Sequence, residues 1–314
     1  VRALVTGAAG FVGRHLTAHL LSQGYELGGL VHPTDGGAGS LGPRIEVFPL
    51  DILDEAALGA AVRDFTPDAV FHLAAFSNPE GSWKEARRTL ETNIIGAHNL
   101  LSAAKETSRK PRVLLVGSAQ QYGDVPAEAQ PIGEEREQKP LTPYAVSKTS
   151  QELLGRRSVW SDELPVFLTR SFNHTGPGQA DGYVSSSFAR QVAEVERGAR
   201  EPVIRVGNLG ARRDFTDVRD VAAAYCAIVE RGQPGRPYNV CRGEAVSIGE
   251  VLDELVRLSL VPVQVVVDPE RYHALDAPLM VGDPTRLKNE TGWSPRYSLR
   301  ETLRDLLDDW RARL

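Results

Sequence analysis

Six short apolar runs, most of them followed by a stretch of helical periodicity, dominate the first 170 residues and restrict what this chain can become. The runs are "RALVT" (2–6), "ELGGLV" (26–31), "IEVFPLD" (45–51), "AVFHLA" (69–74), "RVLLVGS" (112–118) and "PVFLTR" (165–170). A strand that is apolar on both faces must be covered on both, which is the condition of a parallel sheet between two helical layers. Helical periodicity at 11–23, 54–64, 84–107 and 143–157 supplies those layers. The expected fold class is α/β, a doubly wound parallel sheet.

Beyond residue 171 the pattern loosens. "NHTGPGQADG" (173–182) is turn-rich and predicts a loop, followed by a helix near 184–198 and a strand at 203–206. The stretches 217–231 and 236–243 predict a helix and a strand returning to the main sheet. The remainder predicts a helix near 247–258, a strand at 263–267, a loop, and a terminal amphipathic helix from about 298. Two domains are expected. Residues 1–170 and 214–241 would form a dinucleotide-binding domain, and 171–213 with 242–314 a smaller α+β substrate-binding domain.

With 314 residues, 41% of them hydrophobic, the chain can bury a core of that size. Its net charge of −5 disfavours nucleic acid and anionic membrane surfaces as partners, so any anionic ligand must meet local donors. No apolar run approaches the roughly 20 residues that span a bilayer. The opening "VRALVTGAAG" lacks the basic segment and apolar stretch of a secretion signal. Two cysteines, Cys226 and Cys241, form no metal-type cluster and suit a cytoplasmic protein with reduced thiols. No metal site is expected.

Three local features carry chemistry. "VTGAAGFVGRHL" sets Gly7, Gly10 and Gly13 between the first strand and the first helix, where side-chain-free backbone can approach a pyrophosphate at a helix N-terminus. The spacing is G-x-x-G-x-x-G, and its place at the first strand–helix junction favours nucleotide binding over mere packing. The second strand ends "LVHPTDGG": His32 stands where an acid would bind the adenosine ribose, Asp35 is displaced, and no arginine follows to meet a 2′-phosphate. Cofactor choice between NADP(H) and NAD(H) stays open, leaning to NADP(H). Finally, "TPYAVSKTSQE" puts Tyr144 and Lys148 on one helical face, and Ser118 ends the fifth strand.

Together the glycine loop, "SAQQYG" (118–123) and Tyr144-x-x-x-Lys148 resemble the extended short-chain dehydrogenase/reductase family, whose members act on nucleotide sugars through a Rossmann fold. "RSFNHTGPGQ" (170–179), "RRDFTDVRDV" (212–221), "YNVCRG" (238–243) and "TGW" (291–293) resemble its GDP-mannose 4,6-dehydratase branch. The resemblance implies Tyr144 as acid/base, Lys148 as its electrostatic partner and Ser118 as the hydroxyl on the substrate oxygen. An adjacent ammonium would bring the phenol toward the working pH range. The resemblance further implies that Phe11 and Val12 lie along the pyrophosphate and that Asp51 and Ile52 meet the adenine. It places Leu73, Ala74, Ala75, Asn93, Val116 and the Phe172 backbone along the dinucleotide.

On the substrate side it implies Gln120, Asn173, Val184 and Arg213, with His273 and Asp276 standing where the branch usually carries arginine and an acid. His174 is expected to make only a local hydrogen bond. Dehydratases of the branch carry glutamate two residues after the Ser/Thr; here that place holds Gln120, an amide with no labile proton. Elimination would lack its acid, whereas ketone reduction needs only hydride, Tyr144 and Ser118. The expected activity is therefore reduction of the 4-keto group of a nucleotide-linked 4-keto-6-deoxyhexose, with a sugar-nucleotide 4-epimerase as the alternative. The helices at 84–107 and 143–157 resemble those of the family's dimer seam, so a homodimer is expected.

Overall fold

The computed structural model describes residues 1–34, 39, 41–268 and 277–314. Its strands begin with β1 (Arg2–Thr6), β2 (Glu26–Val31), β3 (Ile45–Pro49), β4 (Ala69–His72), β5 (Arg112–Ser118) and β6 (Val166–Ser171). They continue with β7 (Asn173–Thr175), β8 (Val203–Val206), β9 (Arg212–Asp217), β10 (Pro237–Val240), β11 (Ala245–Ser247), β12 (Gln264–Val267) and β13 (Leu279–Met280). Seven of them form one parallel sheet in the order β3-β2-β1-β4-β5-β6-β10. This is the doubly wound Rossmann order, whose direction reverses between β1 and β4. Ligands bind outside the carboxyl ends of the strands at such a reversal.

The helices are α1 (Phe11–Ser22), α2 (Glu55–Phe65), α3 (Gly81–Lys84), α4 (Ala86–Leu90), α5 (Gly96–Lys105), α6 (Pro143–Asp162), α7 (Val184–Glu196), α8 (Val218–Arg231), α9 (Ile248–Arg257), α10 (Thr285–Thr291) and α11 (Leu299–Arg313). α1 and α8 cover one face of the sheet through Leu16, Leu20, Val221 and Tyr225. On the other face α2, α5 and α6 bury Leu58, Val62, Leu100 and Leu101. Five of the eleven helix starts named are written in the sequence. Asp54, Thr142, Asp217, Ser247 and Ser298 each accept a backbone N–H of the first turn, and Pro143 occupies the first position of α6.

The helix expected over 84–107 is not continuous. It breaks into α3, α4, a π turn at Glu91–Ile95, and α5. Asn93 within the π turn faces inward and bonds the chain after β4, an arrangement periodicity cannot reveal. The expected loop at 173–182 begins with β7, which pairs with β9; β9, β11 and β13 form the small sheet that the sequence left unresolved.

A second core joins α7, α9 and α11 to β8 and β9 through Phe188, Ile204, Phe215, Leu252, Leu306 and Trp310. The domain division expected at 213/214 falls inside β9. Leu287 of α10 and Trp293, two residues past its end, expected in the substrate half, pack into the main core instead. Short strands and a seven-residue helix are too brief for a period to show.

Candidate active site

At the first strand–helix junction Gly7 adopts φ +68°, a left-handed conformation, and a Cβ there would lie 2.9 Å from the Ala74 nitrogen. A Cβ on Gly13 would lie 2.2 Å from the Gly7 carbonyl oxygen and 2.6 Å from that of Ala8. The loop and helix therefore touch backbone to backbone. Gly10 caps α1 with no side chain over its first-turn N–H groups, leaving them for an anion. Phe11 stacks on His174, whose Nδ1 lies 3.0 Å from the Phe172 carbonyl, the local bond expected for that histidine. These features fit a dinucleotide pyrophosphate held over Gly7, Gly10, Phe11, Val12 and Gly13.

Across the reversal Thr6 Oγ1 accepts the Ala74 N–H at 3.0 Å and meets His72 Nδ1 at 2.9 Å, fixing the turn that carries half-buried Leu73, Ala74 and Ala75. Burial pushes His72 down to about 3, with the Lys148 charge adding to the effect, so it stays neutral. At the adenosine end His32 Nε2 lies 3.5 Å from Asp51 Oδ2, joining the ends of β2 and β3. Asp51 also accepts the Leu53 N–H, and Ile52 is buried against Gly96. Asp35 lies outside the described residues.

Asn93 departs from expectation. It is fully buried, accepts the Phe76 N–H at 2.7 Å and donates to the Phe76 carbonyl and to Ser147 Oγ. It therefore holds the segment after β4 against α6.

The catalytic candidates converge where β5 ends and α6 begins. The Ser118 side chain is near enough to the Tyr144 phenol to pull its ionisation down. Ser118 Oγ accepts the Gln120 N–H at 3.2 Å, which leaves its own proton free to donate. Lys148 Nζ donates to the Val116 carbonyl at 2.8 Å and to Gln151 Oε1 at 3.1 Å. The ionisation expected of the tyrosine is corrected here. Burial pushes the phenol up to about 12 against the pull of Ser118, and burial pushes Lys148 down to about 7. Desolvation outweighs the Ser118 hydroxyl, so the Tyr144 phenol stays protonated at neutral pH.

On the substrate side Gln120 is half-buried, and its Oε1 has no partner among the described residues. Asn173 is exposed at the start of β7, and Val184, opening α7, packs partly on the second core. Phe172 is buried, its N–H given to the Val240 carbonyl. Arg213, expected on the pyrophosphate or sugar of the substrate, donates from Nη1 to the carbonyls of Ala277 (2.6 Å) and Arg212 (2.9 Å), tying β9 to the chain before β13. His273 and Asp276 lie outside the described residues.

Two participants escaped the sequence reading. Gln121 accepts the Ser118 N–H at 2.8 Å, and Gln151 donates to the Val116 carbonyl beside Lys148. Among the described residues, no cluster of His, Cys, Asp or Glu could hold a metal ion, and no helix is long and apolar enough to cross a membrane.

A glycine-cradled crossover, a reversal in strand order and a Ser–Tyr–Lys set at the sheet's carboxyl edge define an extended short-chain dehydrogenase/reductase. Within that class the chain belongs to the GDP-mannose 4,6-dehydratase family, whose model matches residues 4–306. It is 35% identical to GDP-6-deoxy-D-mannose reductase of Pseudomonas aeruginosa over 313 residues, covering 100% of this chain and 98% of that protein. The solved structure of RMD from Pseudomonas aeruginosa complexed with NADPH is similar at TM-score 0.87 and 34% identity, covering 100% of this chain and 99% of that one. UDP-glucose 4-epimerase of Thermus thermophilus, solved with NAD, is similar at TM-score 0.89 and 28% identity, with full coverage of both chains.

Proposed function

We propose that this protein reduces the 4-keto group of a nucleotide-linked 4-keto-6-deoxyhexose, GDP-4-keto-6-deoxy-mannose to GDP-rhamnose being the preferred case. The observation that carries this reading is Gln120. It places an amide two residues after Ser118, where elimination needs an acid, while burial holds the Tyr144 phenol protonated. The likeness to the Pseudomonas reductase supports the same direction.

The dinucleotide, NADP(H) or NAD(H), supplies a hydride to C4 when bound. Tyr144 gives its proton to the oxygen at C4, Ser118 donates a hydrogen bond to that oxygen, and Lys148 restores charge balance beside the phenolate as it forms. Gly7, Gly10, Gly13, Phe11 and Val12 hold the pyrophosphate, with His32 and Asp51 at the adenosine end. Gln120, Asn173 and Val184 face the sugar nucleotide. A cytoplasmic location fits the two free, buried thiols.

A homodimer completes the reading. Val146, Leu153 and Trp160 lie at seven-residue intervals on α6 and are 41%, 59% and 73% exposed. Ile95 and Trp83 are also exposed on the neighbouring helical run. Such a stripe suits a seam with the same helices of a second copy.

Steady-state assays with GDP-4-keto-6-deoxy-mannose test the reading. One nicotinamide oxidised per sugar reduced supports it. NAD that copurifies without exchanging, with hexose nucleotides interconverted at C4 and no net oxidation, would instead establish the epimerase.

A further inference from the structure

For Ser118 and Tyr144 to meet one substrate oxygen, two hydroxyls from different elements, the end of β5 and the start of α6, must be held at one fixed separation. Ser118 leaves β5 in extended backbone, and the chain turns at once into a single tight helical turn, Ala119–Tyr122. Within that turn Gln121 is fully buried. Its Oε1 accepts the Ser118 N–H at 2.8 Å, and its Nε2 donates to Glu152 Oε2 at 2.8 Å and to Gln138 Oε1 at 3.3 Å. Glu152 lies one turn beyond Lys148 and two beyond Tyr144 on the same inward face of α6. Arg170, from β6, grips both carboxylate oxygens, at 2.9 Å from Nε and 2.7 Å from Nη2. A Cβ on Gly117 would lie 2.4 Å from Gln121 Oε1, so the preceding glycine keeps the space this amide needs.

We propose that Gln121 is a positioning residue for catalysis: its buried amide ties the Ser118 backbone to the helix that carries Tyr144 and Lys148, and so fixes the serine hydroxyl against the phenol. This rests on the reductase reading above. The position must accept from an N–H at one end and donate to a carboxylate at the other while remaining uncharged. Glutamine meets all three demands. Leucine strands the buried Ser118 N–H and takes one of the donors from the Glu152 carboxylate, and glutamate sets two carboxylates face to face.

The test compares the parent with Gln121→Leu, Gln121→Glu and the polarity swap Gln121→Glu/Glu152→Gln, with the first two also made in a Ser118→Ala background. Gln121→Leu is expected to lower kcat by about 10- to 100-fold with KM and NADPH affinity within about threefold, the scale of a misplaced catalytic group. After Ser118→Ala the same change should cost less than about threefold, because the two residues act as one unit. Gln121→Glu should lose kcat as pH rises through a shared carboxyl ionisation that the parent lacks, and the swap should restore most of it. An equal loss in both backgrounds, or an unchanged kcat, overturns the proposal.

Residue-resolved amide exchange on the NADPH-loaded protein reads the same bond without turnover. The Ser118 amide should exchange faster in Gln121→Leu and be protected again in the swap. A parent that fails to reduce the keto-sugar while showing this exchange pattern refutes the reductase reading and leaves the positioning intact. Unchanged exchange refutes the positioning. If Gln121→Leu does not fold, Gln121→Glu at low and high pH and the swap give the same discrimination.

Discussion

Gly13→Ala is the smallest change that tests how the dinucleotide site is built. The added Cβ would sit 2.2 Å from the Gly7 oxygen, 2.6 Å from the Ala8 oxygen and 2.8 Å from the Ala8 carbonyl carbon. All three are backbone atoms, so no flexible side chain can move aside. The Gly7 oxygen also accepts the Gly10 N–H at 3.0 Å, so it cannot retreat without opening the loop. Relief requires the start of α1 to back away by about 1 Å, and overpacking of that kind costs about 3 kcal/mol. For a chain of 314 residues that lowers Tm by about 4–5 °C. Backing the helix away also lengthens the N–H contacts available to a pyrophosphate. Loss of one charge-assisted hydrogen bond, about 2 kcal/mol, weakens dinucleotide affinity roughly 10- to 30-fold. Thermal unfolding and NADPH titration by fluorescence measure the two effects. A Gly13→Ala protein that melts with the parent and binds NADPH as tightly would refute the backbone-contact account of this loop.

Lys148 gives a pH prediction. Its folded ionisation is pushed down to about 7 by burial, far below the ordinary lysine range, so between pH 7 and 10 the unfolded chain holds a proton that the folded one lacks. Stability from this group therefore rises with pH across that window and is lost as pH falls toward 7. Relative to Lys148→Met, the cofactor-free parent should gain about 1 kcal/mol per pH unit from 7 to 9 in urea unfolding; a difference independent of pH contradicts the burial-driven shift. The helical seam gives another. Leu153→Glu, on a residue 59% exposed in the single chain, should convert a dimer to monomer by light scattering, and a parent that is itself monomeric rejects the seam.

Much of the fold was legible because parallel strands buried on both faces have few sequences open to them. β2 and β5 are nearly continuous apolar text, and the helix starts at Asp54, Thr142, Ser247 and Ser298 are signed by their capping residues. Tyr144, Lys148 and Ser118 were legible as residue types at a spacing, and the folded chain brings Ser118 to the phenol. Their ionisation was not, because the pairing of charges can be read along a helix whereas desolvation depends on everything packed around it. Arg213 and Asn93 show a related limit. A guanidinium and a carboxamide announce hydrogen bonding, but the sequence does not say whether the partner is a ligand or the backbone of Ala277 or Phe76. Gln121 stayed unnoticed beside Gln120, since nothing local reveals that one amide turns inward to Glu152 and its neighbour does not.

The central claim is that Tyr144 delivers a proton while hydride arrives at C4 of a nucleotide keto-sugar. NADPH deuterated at both C4 positions of its nicotinamide ring, incubated with GDP-4-keto-6-deoxy-mannose, follows that hydride directly. The account predicts one deuterium at C4 of the hexose for each NADP⁺ formed. It also predicts a Tyr144→Phe protein that still binds NADPH but transfers deuterium about 10²- to 10⁴-fold more slowly. Product without deuterium, or transfer at the parent's rate after Tyr144→Phe, would contradict it.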